Sequence, residues 1–203
     1  MRDAAAFHSF FRSISGKPWA LRLRHALVVF FLAMALPFSA LAEGIGVRSA
    51  TLEATDEGWL LDAQFDIQFS PRLEEAVTRG VPLYFVVDFE LSRPRWYWFD
   101  EKPVRISQTY KISYTPLLRQ YRLSVGSVYQ NFTRFDEVKR VLERIRGMQI
   151  ADKGVYVAKD VGYQANLRMR LDTAQLPKPF QLNAVASRDW SLASDWHRWS
   201  VTP

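Results

Sequence analysis

The sequence predicts a mainly β protein: a single antiparallel, sandwich-like domain that carries two short α-helices. Three observations point there. Apolar side chains recur at every second position in several separate segments, the mark of half-buried strands. Neighbouring segments are joined by turn-rich connections short enough for hairpins. The strands also outnumber the helices and lack the regular strand–helix alternation of a parallel sheet.

The first strand, Val47 to Ala54, turns through Thr55-Asp56-Glu57-Gly58 into a second, because those residue types favour a tight reversal. From Trp59 to Phe69, Leu61, Ala63, Phe65, Ile67 and Phe69 fall on one face and Asp62, Gln64, Asp66 and Gln68 on the other. Ser70-Pro71 then supplies an N-cap and a proline at the first helical position, Glu74 and Glu75 suit the positive end of the helix dipole, and Gly80 ends a helix of about two turns. Val81 to Leu91 alternates again, but Tyr84 and Val86 make its second face apolar too, as in a central strand covered on both sides. Ile106, Tyr110, Ile112 and Tyr114 alternate with polar neighbours, and Tyr121, Leu123 and Val125 follow Thr115-Pro116-Leu117-Leu118 as the return of a hairpin. The spacing of Phe135, Val138, Val141, Leu142 and Ile145 predicts a helix from about Arg134 to Arg146, capped by Thr133 and stopped by Gly147. Tyr163, Ala165, Leu167, Met169 and Leu171 restore period two, and Leu176-Pro177-Lys178-Pro179 reads as a turn or edge connection. The expected architecture is therefore an immunoglobulin-like sandwich with two helices over an end or a face.

Residues 1–42 differ from the rest. Arg2, Arg12, Lys17, Arg22 and Arg24 lead into an unbroken apolar run from Ala26 to Leu36, and Ala40-Leu41-Ala42 precedes Glu43. Basic lead-in, apolar stretch and small-residue site are the three parts of a secretory signal. The run is about half of the ~20 residues that a membrane-spanning helix needs, so cleavage is favoured, with an uncleaved inner-membrane anchor facing the periplasm as the alternative. The expected division is a signal helix over 1–42 and one β-rich periplasmic domain over 43–203. Without the first segment the charge falls to 27 − 5 = 22 basic against 21 − 1 = 20 acidic residues. A near-neutral domain offers no basic stripe for nucleic acid, and none is expected as a partner.

Site chemistry is sparse. The chain has no cysteine, which removes disulfides, thiolate metal sites and a cysteine nucleophile. His197 is the one histidine beyond residue 42, no G-x-S-x-G elbow occurs, and a lone histidine without a placed partner has no catalytic role. Asp62 and Asp66 share a strand face about 13 Å apart, too far for one ion. No cofactor, metal or catalytic residue is expected. On the helix around Lys139, Arg140, Arg144 and Arg146, the interleaved Asp136, Glu137 and Glu143 indicate a solvated face, with Asp136 and Arg140 spaced as a helical ion pair. The match of Asn131-Phe132-Thr133 to a glycosylation sequon is better explained by Thr133 as a helix cap.

Aromatic residues are the most informative oddity. Trp96 and Trp98 share one strand face, preceded by Arg93 and Arg95, while Trp190, Trp196 and Trp199 crowd the C-terminal end. Such rings either close the end of a sandwich core or form a binding surface. Arg95, Trp96 and Trp98 are the candidate partner-binding residues, because tryptophan and arginine dominate binding energy in protein interfaces.

Several segments together resemble a known exported family: Ser49-Ala50-Thr51-Leu52 leading to Phe69-Ser70-Pro71, Val81-Pro82-Leu83-Tyr84-Phe85, Arg93-Pro94-Arg95-Trp96-Tyr97-Trp98, and Leu176-Pro177-Lys178-Pro179-Phe180-Gln181 leading to Asp195-Trp196 and Trp199. They resemble the family called domain of unknown function 4390. The resemblance implies a proteobacterial exported protein without an assigned activity, whose gene often lies beside those of nitrogen-regulation-type sensor kinases, and it brings no functional residue with it. The expected function is a non-enzymatic periplasmic binding or interaction module with an inner-membrane protein partner. The alternatives are an envelope carbohydrate-active hydrolase, which convergent carboxylates in a cleft would favour, and a purely structural envelope accessory.

Protein recovered from a periplasmic extract is expected to begin at Glu43 by intact-mass measurement. A full-length species confined to the membrane fraction would instead establish the anchored form.

Overall fold

The computed structural model of the chain describes residues 44–56, 58–93, 101–152 and 162–202, all within the unit Glu43–Pro203. The expected signal segment lies outside the described residues. Among those described, no helix is long and apolar enough to cross a membrane.

The chain is mainly β. The first hairpin forms as expected, with β1 (Ile45–Thr55) antiparallel to β2 (Gly58–Ile67). β3 (Leu83–Arg93), β4 (Glu101–Thr115), β5 (Gln120–Val125) and β6 (Val128–Phe132) follow as a meander; β7 (Arg144–Asp152), β8 (Tyr163–Leu171) and β9 (His197–Val201) complete the described strands. They make two antiparallel sheets of unequal width: a three-stranded one in the order β1-β2-β7 and a six-stranded one in the order β6-β5-β4-β3-β8-β9. The small and large sheets share one core. Leu61, Ala63, Phe65 and Ile67 of β2 belong to the same buried cluster as Leu83, Phe85, Val87, Phe89 and Leu91 of β3 and Ala165, Leu167 and Met169 of β8. Each fully buried side chain of this size contributes about 1.5–3 kcal/mol.

Among the described residues, three α-helices accompany the sheets rather than the expected two. α1 (Pro71–Thr78) starts as foreseen, with the Ser70 hydroxyl accepting the Leu73 N–H at 3.3 Å. It ends at Gly80, whose φ of +90° suits glycine. α2 (Phe135–Leu142) is shorter than expected. The Phe65 N–H donates to the Glu143 carbonyl at 2.8 Å and the Ile67 N–H to the Glu143 carboxylate at 3.1 Å, so pairing with β2 draws the chain out of the helix and makes Arg144, Ile145 and Arg146 part of β7. Its cap also differs: Arg134 is the N-cap, and the Glu137 carboxylate reaches back to the backbone N–H groups of Thr133 and Arg134, both at 3.3 Å. α3 (Lys178–Ala186) replaces the expected turn. Its prolines sit at the N-cap and in the first turn, where a missing N–H costs nothing.

β3 is covered on both faces, as its composition suggested, but not by apolar residues alone. Its outer face carries Asp88, Glu90 and Ser92, all less than 9% exposed. Asp88 accepts hydrogen bonds from Ser107 Oγ at 2.6 Å, Arg168 Nε at 2.9 Å and Arg170 Nε at 3.2 Å. Arg105 pairs with Glu90 at 3.0 Å. The Arg168 guanidinium in turn lies 4.4 Å from the ring centroid of Trp196, a cation–π distance. Arginine stems and Trp196 thus shield this face from water. Burial pushes the Asp88 carboxyl up, but the bonds from Ser107, Arg168 and Arg170 outweigh it and hold the group below the ordinary carboxylate range.

Two outcomes test this architecture. Phe65→Ala should cost roughly 3–5 kcal/mol in urea unfolding, and Gln64→Ala on the exposed face less than about 0.5; comparable effects would contradict the register of β2. Asp88→Asn should cost about 1.5–3 kcal/mol at pH 7 by removing a charged acceptor. Because the folded-state pKa of Asp88 is depressed, that stabilisation is present above the ordinary carboxylate range and fades as pH falls through the folded value, so the gap between Asp88→Asn and wild type should shrink below about pH 4.

Candidate functional site

The residues singled out from the sequence fall in different places. Arg95, Trp96 and Trp98 belong to the connection between β3 and β4, whose ends meet where Arg93 pairs with Glu101, and they lie outside the described residues. Of the C-terminal aromatics, Trp190 is buried beside Phe180 and Trp199 packs partly buried near Phe89, with ring centroids 5.8 and 6.2 Å apart. His197 is half-buried, its ring 5.5 Å from that of Trp199. Asp62 accepts the Gly147 N–H at 2.7 Å, and Asp66 pairs with Arg48 at 2.8 Å, so each carboxylate has a structural role. Asp136 pairs with Arg134 at 3.1 Å rather than with Arg140. Among the described residues, no group of three or more acidic or histidine side chains is gathered as metal ligands would be.

A groove of about 430 Å³ opens on the described surface. It exists because the six-stranded sheet extends past the three-stranded one. The floor is the inner face of the overhang: Gln108 and Tyr110 from β4, Leu123 and Val125 from β5, Val128 and Gln130 from β6. One wall is the run Arg144–Gln149 of β7, and Val141 of α2 stands at the side. Val128 is 72% exposed and Val141 40%, so the walls present apolar surface to solvent. Burial pushes the Tyr110 phenol up to about 12, which keeps it a neutral hydroxyl across physiological pH.

The charges at the groove all have one sign. Arg144 and Arg146 line it, and among the described residues no carboxylate does. A smaller concavity of about 190 Å³ adjoins it through Arg144 and adds Arg48, Arg140 and Glu143. The position of Arg146 follows from a β-bulge. Leu61 pairs with Met148 and Ala63 with Ile145, so Asp62 faces both Arg146 and Gly147. Gly147 has a φ of +60°, the left-handed conformation that such a bulge asks of glycine, and its N–H closes on the Asp62 carboxylate. This turns both arginine side chains to the exposed face of β7 while Ile145 and Met148 stay in the core.

A concave surface that mixes apolar side chains with two guanidinium groups is suited to recognise a ligand that carries apolar side chains and carboxylates. The sequence reading missed it because Arg144 and Arg146 were assigned to a helix face. The signal that would have found it is Gly147 inside the apolar sequence Ile145, Met148, Ile150, since a lone glycine in a strand pattern marks a bulge.

Residues 42–200 match the family described as Domain of unknown function (DUF4390). No curated protein and no solved structure matches the chain. The family match spans well over half of the sequence and takes in every described strand but the last residue of β9, and the chain therefore belongs to the DUF4390 family.

Proposed function

We propose that this protein is a non-enzymatic, periplasmic interaction module of immunoglobulin-like build that binds an inner-membrane protein. The observation that carries the reading is the groove beside β7, whose lining combines exposed apolar residues with two arginines and, among the described residues, contains neither carboxylate nor histidine. Such a lining supplies recognition rather than general acid–base chemistry.

The immunoglobulin-like element of the proposal is supported by the strand order. With β1, β2 and β7 taken as strands A, B and E, the small sheet is A-B-E. With β3, β8 and β9 as C, F and G, and β4 and β5 as C′ and C″, the large sheet runs C″-C′-C-F-G beyond an added β6. That is the pairing order of a variable-type immunoglobulin domain without its strand D. Export is supported by the basic, apolar and small-residue pattern of residues 1–42. In this reading Arg95, Trp96 and Trp98 extend the partner contact from the β3–β4 connection.

A photo-activatable crosslinking residue placed at Val128 in the host of origin tests the proposal. It should yield one discrete adduct, identified by mass spectrometry as an inner-membrane protein, and the same residue at the exposed Glu53 of β1 should not. The absence of an adduct at Val128, or the same set of adducts at both positions, would overturn it.

A further inference from the structure

The groove lies where an immunoglobulin-type sandwich carries one more strand. In the constant-type domain the small sheet has the order A-B-E-D. Here the chain segment between β5 and β7 does not supply D, because β6 stays in the large sheet beside β5. Among the described residues no strand pairs with the second edge of β7, and six of its residues, Arg144–Gln149, line the groove. A strand edge is a row of N–H and C=O groups spaced for another strand, and the five residues Arg144–Met148 at ~3.3 Å each give about 16 Å of it.

The two faces of β7 dictate what an added strand must carry. Ile145 and Met148 are buried toward the core, continuous with the floor of Leu123, Val125 and Val128. Arg144 and Arg146 are exposed on the opposite face. Side chains of paired strands stand beside their neighbours face by face. Alternate residues of an incoming strand would therefore rest on the apolar floor, and the residues between them would lie next to the two arginines. Among the described residues neither arginine has a carboxylate within ion-pair distance, and the lining of the groove offers none.

Resting on the reading of the protein as an interaction module, we infer that the groove is a strand-addition site. An extended segment of the partner polypeptide, alternating apolar and acidic residues, pairs with the second edge of β7 along Arg144–Met148 and becomes the fourth strand of the small sheet. Backbone hydrogen bonds to β7 supply affinity, while the apolar floor and the arginines select the sequence. Proline is excluded from the middle of the segment because it lacks the N–H that the ladder uses.

The test is selection of a displayed random decapeptide library against the native protein, followed by binding and amide-exchange measurements with the enriched peptides. Enriched peptides should alternate apolar residues with Asp or Glu and should slow amide exchange across Arg144–Met148 at least tenfold. Their Kd should rise at least tenfold when a central proline is introduced, and likewise in a variant carrying both R144E and R146E; both sites are exposed, and unchanged melting would verify that variant's fold. Val128→Asp, which leaves the edge of β7 intact, should weaken binding through the floor alone. Failure to enrich any peptide, enrichment without alternation, unchanged exchange at β7, or sedimentation showing a dimer formed through the groove would overturn strand addition. If that happens while the Val128 adduct persists in cells, the interaction module stands and only the strand mode falls; loss of the adduct as well removes both.

Discussion

Six strands must bury an apolar inner face, and the facing sheet has three. Most of the architecture follows from this mismatch. β1 and β7 of the small sheet approach β8 and β4 of the large one, β2 adds its buried face to the shared core, and helices cover more of the inner face. α1 packs toward β4 through Leu73, Ala76 and Val77, and α2 toward β5 through Phe135, Val138 and Leu142. A chain of rings joins the layers: Phe69 lies 5.5 Å from Phe85 and 4.9 Å from Phe135, which is 5.6 Å from Tyr121, itself 4.7 Å from Tyr114. These offset and edge-on contacts stabilise beyond the area they bury. What no described strand or helix covers is the groove.

The two faces of the large sheet handle charge in opposite ways. On the outer face, Asp88 and Glu90 are shielded, and each meets a guanidinium, as burial of a carboxylate requires. Removing one partner there would leave a charge stranded in a poorly solvated place. At the groove, Arg144 and Arg146 stay in water and have no such obligation, so a ligand carboxylate can meet them without first breaking an internal pair. The outer face is therefore a fixed structural layer, and the groove is the place where charge is available.

The sequence was legible wherever one residue's environment depended on its own strand. β8 spans Tyr163–Leu171 and alternates strictly between buried and half-buried, matching its five apolar positions. β2 follows its pattern through Ile67, and only Phe69 leaves the strand, to pack against Phe85 and Phe135. Legibility failed where a distant partner decided the outcome. Arg144 and Ile145 fit a helical stripe, but β2, far away in sequence, claims them as strand. Residues 178–186 show little amphipathic pattern and carry Pro179, with Pro177 just ahead of them, which hides their helix. β6 and β9 are five residues each, too short for alternation to stand out. The groove draws on β4, β5, β6, α2 and β7 at once, and no local pattern encodes such convergence.

The connectivity also governs how the protein reaches this state. Each half starts from a hairpin, β1 with β2 and β3 with β4, whose partners are close in the chain. The closing pairs are not: Asp88 meets Arg168 across 80 residues, and Asp62 meets Gly147 across 85. Loop-closure entropy must be offset before those contacts form, so the two hairpins exist well before the strands that lock them together. During that interval the core faces of β2 and β3 and their bare edges are open to other chains. The consequence is a chain whose closing steps, the arrival of β7 and β8, are long-range in sequence, a topology that folds slowly beside a helical bundle of the same length.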